Sequence, residues 1–195
     1  MFATTMHLPP LDFSIENLQC RWQGLAVQAD TFALARRWLQ TLSVDVAGLH
    51  RDPCGRPRLP AGVGDIGWSH SGGRLLMAYA PQGVVGVDVE PGARTSQAMS
   101  IARRYFTGDE VAALSALDGV NRQQAFLRLW CAKEAVLKAA GRGIAFGLHR
   151  VAFDVAGDTP RMIQCDPALG KAGAWRMLQL APESGFIAVL ASSAG

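Results

Sequence analysis

Between residues 66 and 90 the chain is a series of short, apolar, β-rich runs; from 96 to 140 it turns helical, and strands return near 151–155, 174–180 and 186–191. Strands and helices gathered in blocks, rather than alternating, predict an α+β fold. In the first block IGWSHS (66–71) runs into Gly72-Gly73. LLMAYA (75–80) and VVGVDVE (84–90), joined by Pro81-Gln82-Gly83, predict a hairpin. Ahead of it, 31–43 has an apolar stripe at helical spacing with Asp30 or Thr31 as N-cap. In the helical block, 96–106 is one candidate. Thr107-Gly108-Asp109-Glu110 reads as a capping box opening a helix to about Leu117. Asn121 reads as the cap of a long helix through Ala140, ended by Gly141 or Gly143. LLMAYAPQGVVGVDV also echoes RMLQLAPESGFIAVL in its order of strand, Ala-Pro turn, Gly and strand. Either two hairpins happen to look alike, or two related α+β halves pack across a pseudo-two-fold axis, where ligand sites often lie.

With 49% apolar and 18% charged residues, the composition is that of a globular protein. No apolar run reaches the ~20 residues that span a bilayer, and the first thirteen residues lack the pattern of a secretory signal, so a cytoplasmic protein is expected. The four cysteines have no metal-like spacing and read as reduced thiols. A net charge of +3 suits an anionic ligand or an acidic partner; the basic residues are scattered, with no aromatic-basic stripe for nucleic acid.

Asp88 and Glu90 lie two apart in an expected strand, so both point to one face while Val87 and Val89 point to the other. Two acids side by side repel unless a positive charge sits between them. A solvated strand end explains a lone D-x-E; so does a hard cation such as magnesium, which takes carboxylate, water and phosphate oxygens. On the long helix, Trp130, Glu134 and Lys138 descend one side at i, i+4 and i+8. Glu134 and Lys138 fall at the edge of the apolar arc, where they form either an ordinary helix pair or one wall of a cleft. Lys133 falls within that arc, so it either snorkels out or meets something negative.

Taken together, these residues resemble a known family. G-V-D-V-E at 86–90 and W-C-A-K-E-A-V-L-K at 130–138 are similar to the signature pair of the 4′-phosphopantetheinyl transferases, at a matching separation. Gly55-Arg56-Pro57 resembles the family's G-[KR]-P loop, Trp68-Ser69-His70-Ser71 its S-H-S segment, and Arg103-Arg104-Tyr105-Phe106 its [KR]-R-[FY]-F element. The matches run in order from about residue 55 to 145. The length resembles that of the Sfp-type members rather than the shorter, trimeric carrier-protein synthases. It implies a monomeric pseudodimer whose α+β halves, 1–95 and 96–195, hold the site between them.

The resemblance implies transfer of the phosphopantetheine arm of coenzyme A to a serine of an apo acyl or peptidyl carrier protein, releasing adenosine 3′,5′-bisphosphate. It implies Asp88, Glu90 and Glu134 as ligands of Mg2+ gripping the pyrophosphate, with Lys138 pairing a phosphate oxygen. Glu134, or a metal-held water that it orients, would take the serine proton. It also implies Arg56 near the 3′-phosphate and Ser69 and His70 around the nucleotide and phosphates, with Arg36 a further phosphate contact. Gln40 stands where members often carry another arginine. Arg103, Arg104, Val111 and Leu114 are candidate docking surface for the carrier. The alternatives are another magnesium-dependent phosphoryl enzyme, such as a nucleotide hydrolase, and a non-catalytic module binding coenzyme A or carrier protein.

Overall fold

The computed structural model describes residues 11–93, 97–157 and 159–194. Two strands, β1 (Leu11–Ile15) and β2 (Leu18–Gly24), lead into helix α1 (Thr31–Thr41). Asp30 caps α1, its carboxylate accepting from the Phe32 and Ala33 amides at 2.9 and 3.1 Å. The short strands β3 (His50–Arg51) and β4 (Pro57–Arg58) close the arginine-rich loop on itself. Then follow β5 (Asp65–Ser71), β6 (Arg74–Ala80) and β7 (Val84–Pro91). Gly72 and Gly73 have φ of 57° and 73°. Positive φ at both central residues matches the twist of a two-residue hairpin, and it is β5 and β6 that they join.

The hairpin expected between β6 and β7 does not form. Both edges of β6 are occupied, by β2 and β5, in a four-stranded sheet of order β1-β2-β6-β5. With no edge to join there, β7 passes through Pro81-Gln82-Gly83 into a second sheet and pairs with β11 (Phe186–Ser193), which pairs in turn with β10 (Trp175–Leu180). The two echoing segments therefore differ: RMLQLAPESGFIAVL is a hairpin and LLMAYAPQGVVGVDV is a crossing between sheets.

The helical block is α2 (Ala98–Tyr105), α3 (Gly108–Ser115) and α4 (Gly119–Ala139). The Thr107 capping box forms in both directions. α4 starts three residues earlier than the Asn121 cap implied, with Asp118 at the N-cap position. Gly141, at φ 66°, ends it. A further pair, β8 (Val151–Asp154) and β9 (Arg161–Cys165), follows; β1, β2, β3, β4 and β9 have no counterpart among the strands expected from sequence.

Strand alternation explains the layering. On β6, Leu75 and Met77 pack with Trp38 and Leu39 of α1, while Leu76, Ala78 and Ala80 pack with Val85, Val87 and Val89 of β7. α4 covers the other side of the second sheet, burying Ala132, Ala135 and Val136 with Val189 and Ala191 of β11. The order of layers is thus α1, the first sheet, the second sheet, α4: an α+β protein. The expected boundary between residues 95 and 96 lies outside the described residues, as do the first ten. Among the described residues no helix is long and apolar enough to cross a membrane.

Candidate active site

Two glycines set how closely the layers approach. A Cβ on Gly86 of β7 would lie 1.9 Å from the Ala135 carbonyl oxygen of α4, and one on Gly67 of β5 would lie 2.9 Å from the Val85 carbonyl oxygen. Only bare backbone fits at these crossings. α4 therefore lies on β7 with Glu134 and Lys138 beside Asp88, and β5 lies along β7 on the other side.

Every second residue of β5 then meets β7. Asp65 Oδ2 accepts from the Val85 amide at 2.7 Å, Ser69 Oγ donates to Asp88 Oδ1 at 2.9 Å, and Ser71 Oγ donates to Glu90 Oε2 at 2.7 Å. Lys138 Nζ donates to Asp88 Oδ1 at 2.6 Å and to Ser69 Oγ at 3.1 Å. Asp88, Glu90 and Glu134 are all buried, at 4%, 5% and 8% exposure. Burial raises the Glu134 carboxyl to about 7; Lys138 opposes the rise, and Asp88 and Glu90 add to it. Burial would lower the Lys138 ammonium, but Asp88 and Glu134 outweigh it and the pKa is raised. The Cys131 thiol, buried under the same acids, is pushed well above its usual range, first by burial and then by Asp88 and Glu90.

As they stand, no three His, Cys, Asp or Glu side chains among the described residues converge closely enough to enclose a metal ion. The positive charge set against Asp88 is the Lys138 ammonium. The donor set nonetheless suits a hard cation: Asp88 Oδ2 and Glu134 Oε1 are buried without a hydrogen-bond partner.

Beside these groups opens a cavity of about 320 Å³, walled by Arg51, Arg56, Trp68, Glu134, Lys138 and Arg142. Four cations and one acid with a raised pKa make it a receptacle for an anion. The cations are not equivalent. Arg56 is 8% exposed and engaged by the protein: Nη2 meets Asp65 at 2.5 Å and Nε donates to the Lys138 carbonyl at 2.6 Å. Only Nη1 is left without a partner. Arg51 is exposed, its guanidinium 5.3 Å from the Phe32 ring centroid and 5.4 Å from that of Trp68, with Nη1 donating to the Gly55 carbonyl at 2.8 Å. Arg142 follows the glycine that ends α4, its guanidinium 5.4 Å from the Phe146 centroid.

Of the residues expected from sequence, Ser69, Asp88, Glu90, Glu134 and Lys138 form one connected group, and Arg56 borders it. His70 is exposed, on the opposite side of β5 from Ser69 and Ser71, and does not line the cavity. Arg36 is exposed on α1 and does not line it either. Arg51 and Arg142 do line it, and no motif marks either; Arg51 lies shortly before the Gly55-Arg56-Pro57 segment. Leu114, a candidate for docking, is fully buried at 0% exposure among the helices, whereas Arg103 and Arg104 are exposed.

Lys133 is also resolved. At 0% exposure its Nζ reaches Glu110 Oε2 at 2.8 Å, the Leu148 carbonyl at 3.0 Å and the Val151 carbonyl. Glu110 accepts from the Phe153 amide at 3.0 Å and closes the capping box of α3. Lys133 belongs to the framework joining α4, α3 and β8. Burial lowers its pKa, against the pull of Glu110.

An α+β scaffold sets the strand carboxylates Asp88 and Glu90 near a helix-borne Glu and Lys, beside a cationic cavity. The chain belongs to the 4′-phosphopantetheinyl transferase superfamily, whose sequence model matches residues 84–184, just over half of it. That stretch includes Asp88, Glu90, Glu134 and Lys138. The 4′-phosphopantetheinyl transferase HetI of Nostoc sp. is 34% identical over 123 residues, 63% of this chain and 49% of that protein. A phosphopantetheinyl transferase of Thraustochytrium sp. is 31% identical over 161 residues, 74% and 56% of the two chains. The 4′-phosphopantetheinyl transferase Sfp of Bacillus subtilis is 34% identical over 96 residues, 49% and 40%. The matched stretches thus span about half the length of these relatives.

Proposed function

We propose that this chain transfers the 4′-phosphopantetheine arm of coenzyme A to a serine of an apo acyl or peptidyl carrier protein, releasing adenosine 3′,5′-bisphosphate. The observation that carries the reading is the meeting of Glu134 and Lys138 with Asp88 at the mouth of a cationic cavity. The names of the relatives support transfer over nucleotide hydrolysis or simple binding.

Asp88, Glu90 and Glu134 are the residues to hold Mg2+, and the unpartnered oxygens of Asp88 and Glu134 support this. Bound there, the cation supplies charge neutralisation at the pyrophosphate. Lys138, now on Asp88, exchanges that carboxylate for a phosphate oxygen, a short move for a flexible ammonium. Arg51 and Arg142 take the phosphates farther along the cavity, aided by Arg56 through Nη1. Glu134 is the group to accept the serine proton, directly or through a water that it orients. The exposed Arg103 and Arg104 suit an acidic carrier surface.

We further read the chain as a monomeric, cytoplasmic pseudodimer of two α+β halves, 1–95 and 96–195, with the site between strand β7 of the first and helix α4 of the second. The test is release of adenosine 3′,5′-bisphosphate from coenzyme A and Mg2+. Release only when an apo carrier is present supports transfer. Release without carrier, or breakdown of other nucleotides, identifies a hydrolase.

A further inference from the structure

We infer that Ser69 and Ser71 are positioning residues that fix the carboxylates of Asp88 and Glu90 for cation binding. The inference rests on the reading of those carboxylates as a cation site. β5 and β7 lie side by side so that the two hydroxyls meet the two carboxylates at a constant offset of 19 residues, at 2.9 and 2.7 Å. A constant offset means parallel strands in step, so the S-x-S spacing on β5 is matched to the D-x-E spacing on β7. Neither contact is a ladder hydrogen bond of a sheet; each is a side chain spent on a side chain.

The consequence is clearest at Asp88. Ser69 is 7% exposed, and its single hydroxyl proton goes to Asp88 Oδ1. Its lone pairs face Lys138 Nζ at 3.1 Å. Oδ1 is therefore held by two donors, while Oδ2 is buried with no partner. A carboxylate pinned through one oxygen presents the other in a fixed direction, which removes the rotamer freedom a cation would otherwise have to freeze. Ser71 Oγ likewise donates to Glu90 Oε2. A hydroxyl already donating to a carboxylate has no proton left for a phosphate, so the part played by Ser69 runs through Asp88.

The test is manganese binding to the protein without coenzyme A, read by electron paramagnetic resonance or calorimetry. The wild type binds the ion. Ser69→Ala and Ser71→Ala each weaken binding by about tenfold to a hundredfold, as loss of outer-shell partners does. Ser69→Thr and Ser71→Thr, which keep the hydroxyl and suit a strand, restore it. Thermal melting establishes that each variant is folded. Folded alanine variants that bind manganese as tightly as the wild type overturn the positioning role. Alanine variants that keep manganese affinity but lose affinity for coenzyme A overturn it in favour of direct ligand contact. A wild type that binds no manganese overturns both this role and the reading of the site.

Discussion

The Glu134 carboxyl sits against Asp88, Glu90 and Lys138 with Oε1 unpartnered, and its pKa is about 7 where an unfolded glutamate has 4.5. Between those two values the folded protein holds a proton that the unfolded chain has released. Stability therefore falls as pH rises from 4.5 to 7, and the full penalty remains above 7. Glu134→Gln removes the penalty. The variant, free of metal, is expected to melt above the wild type at pH 8, with the gap closing as pH approaches 4.5; equal melting points at pH 8 would contradict the buried, repelled carboxylate. The adjacent Lys133 has the opposite assignment, since its ammonium is fully enclosed and paired with Glu110. Lys133→Met leaves that carboxylate buried and unpaired, a loss of about 3–5 kcal/mol in urea denaturation. Arg103→Ala, on an exposed face, is expected to stay within about 0.5 kcal/mol of the wild type. The sequence pattern placed both Lys133 and Glu134 on one helix near its apolar arc. It could not say which carried the framework and which the chemistry. That depends on Glu110, whose side chain arrives from α3, and on carbonyls at 148 and 151.

At the scale of elements, the site exists because α4 rests directly on β7. With the Ala135 carbonyl 1.9 Å from the position of a Cβ, Gly86→Ala forces backbone from backbone and carries Glu134 and Lys138 away from Asp88. The expected result is a destabilisation at or above the upper end of the about 1–3 kcal/mol typical of overpacking. Manganese affinity should be lost even where the variant remains folded. A Gly86→Ala variant with wild-type melting and wild-type metal binding would show that the contact is slack. Elements themselves were legible where a period or a cap marks them. α1 with Asp30, α3 with its Thr107 box and α4 with Gly141 follow from local chemistry. Pairing was not. β6 and β7 look like a hairpin because only a short Pro-Gln-Gly link separates them, yet β6 has no edge left and β7 completes a sheet with strands a hundred residues later. Which edges are occupied is a property of the whole set of strands, and no short window contains it.

Across the whole molecule, the functional groups come from regions far apart in sequence. Arg51 and Arg56 lie in the early loop, Ser69 on β5, Asp88 and Glu90 on β7, Glu134 and Lys138 on α4, and Arg142 just beyond. Periodic elements advertise their inward faces, which is why the carboxylates and Lys138 could be read from spacing. Arg51 lies in a two-residue strand and Arg142 just past the end of α4, where no period separates a ligand-facing arginine from a solvated one. Arg56 could be matched to a motif but its employment could not: two of its three nitrogens are bound to Asp65 and to the Lys138 carbonyl. The layered assembly brings the four cations and Glu134 to one opening beside Asp88, and modification of a carrier protein is the activity proposed for it. Intact-mass spectrometry of an apo carrier after incubation with the protein, coenzyme A and Mg2+ tests it most directly. The carrier is expected to gain the mass of one phosphopantetheine group on its serine, and folded Asp88→Ala and Glu134→Ala variants to leave it unchanged. A panel of apo acyl and peptidyl carriers that all keep their original mass with the wild-type protein, or full modification by both variants, would contradict it.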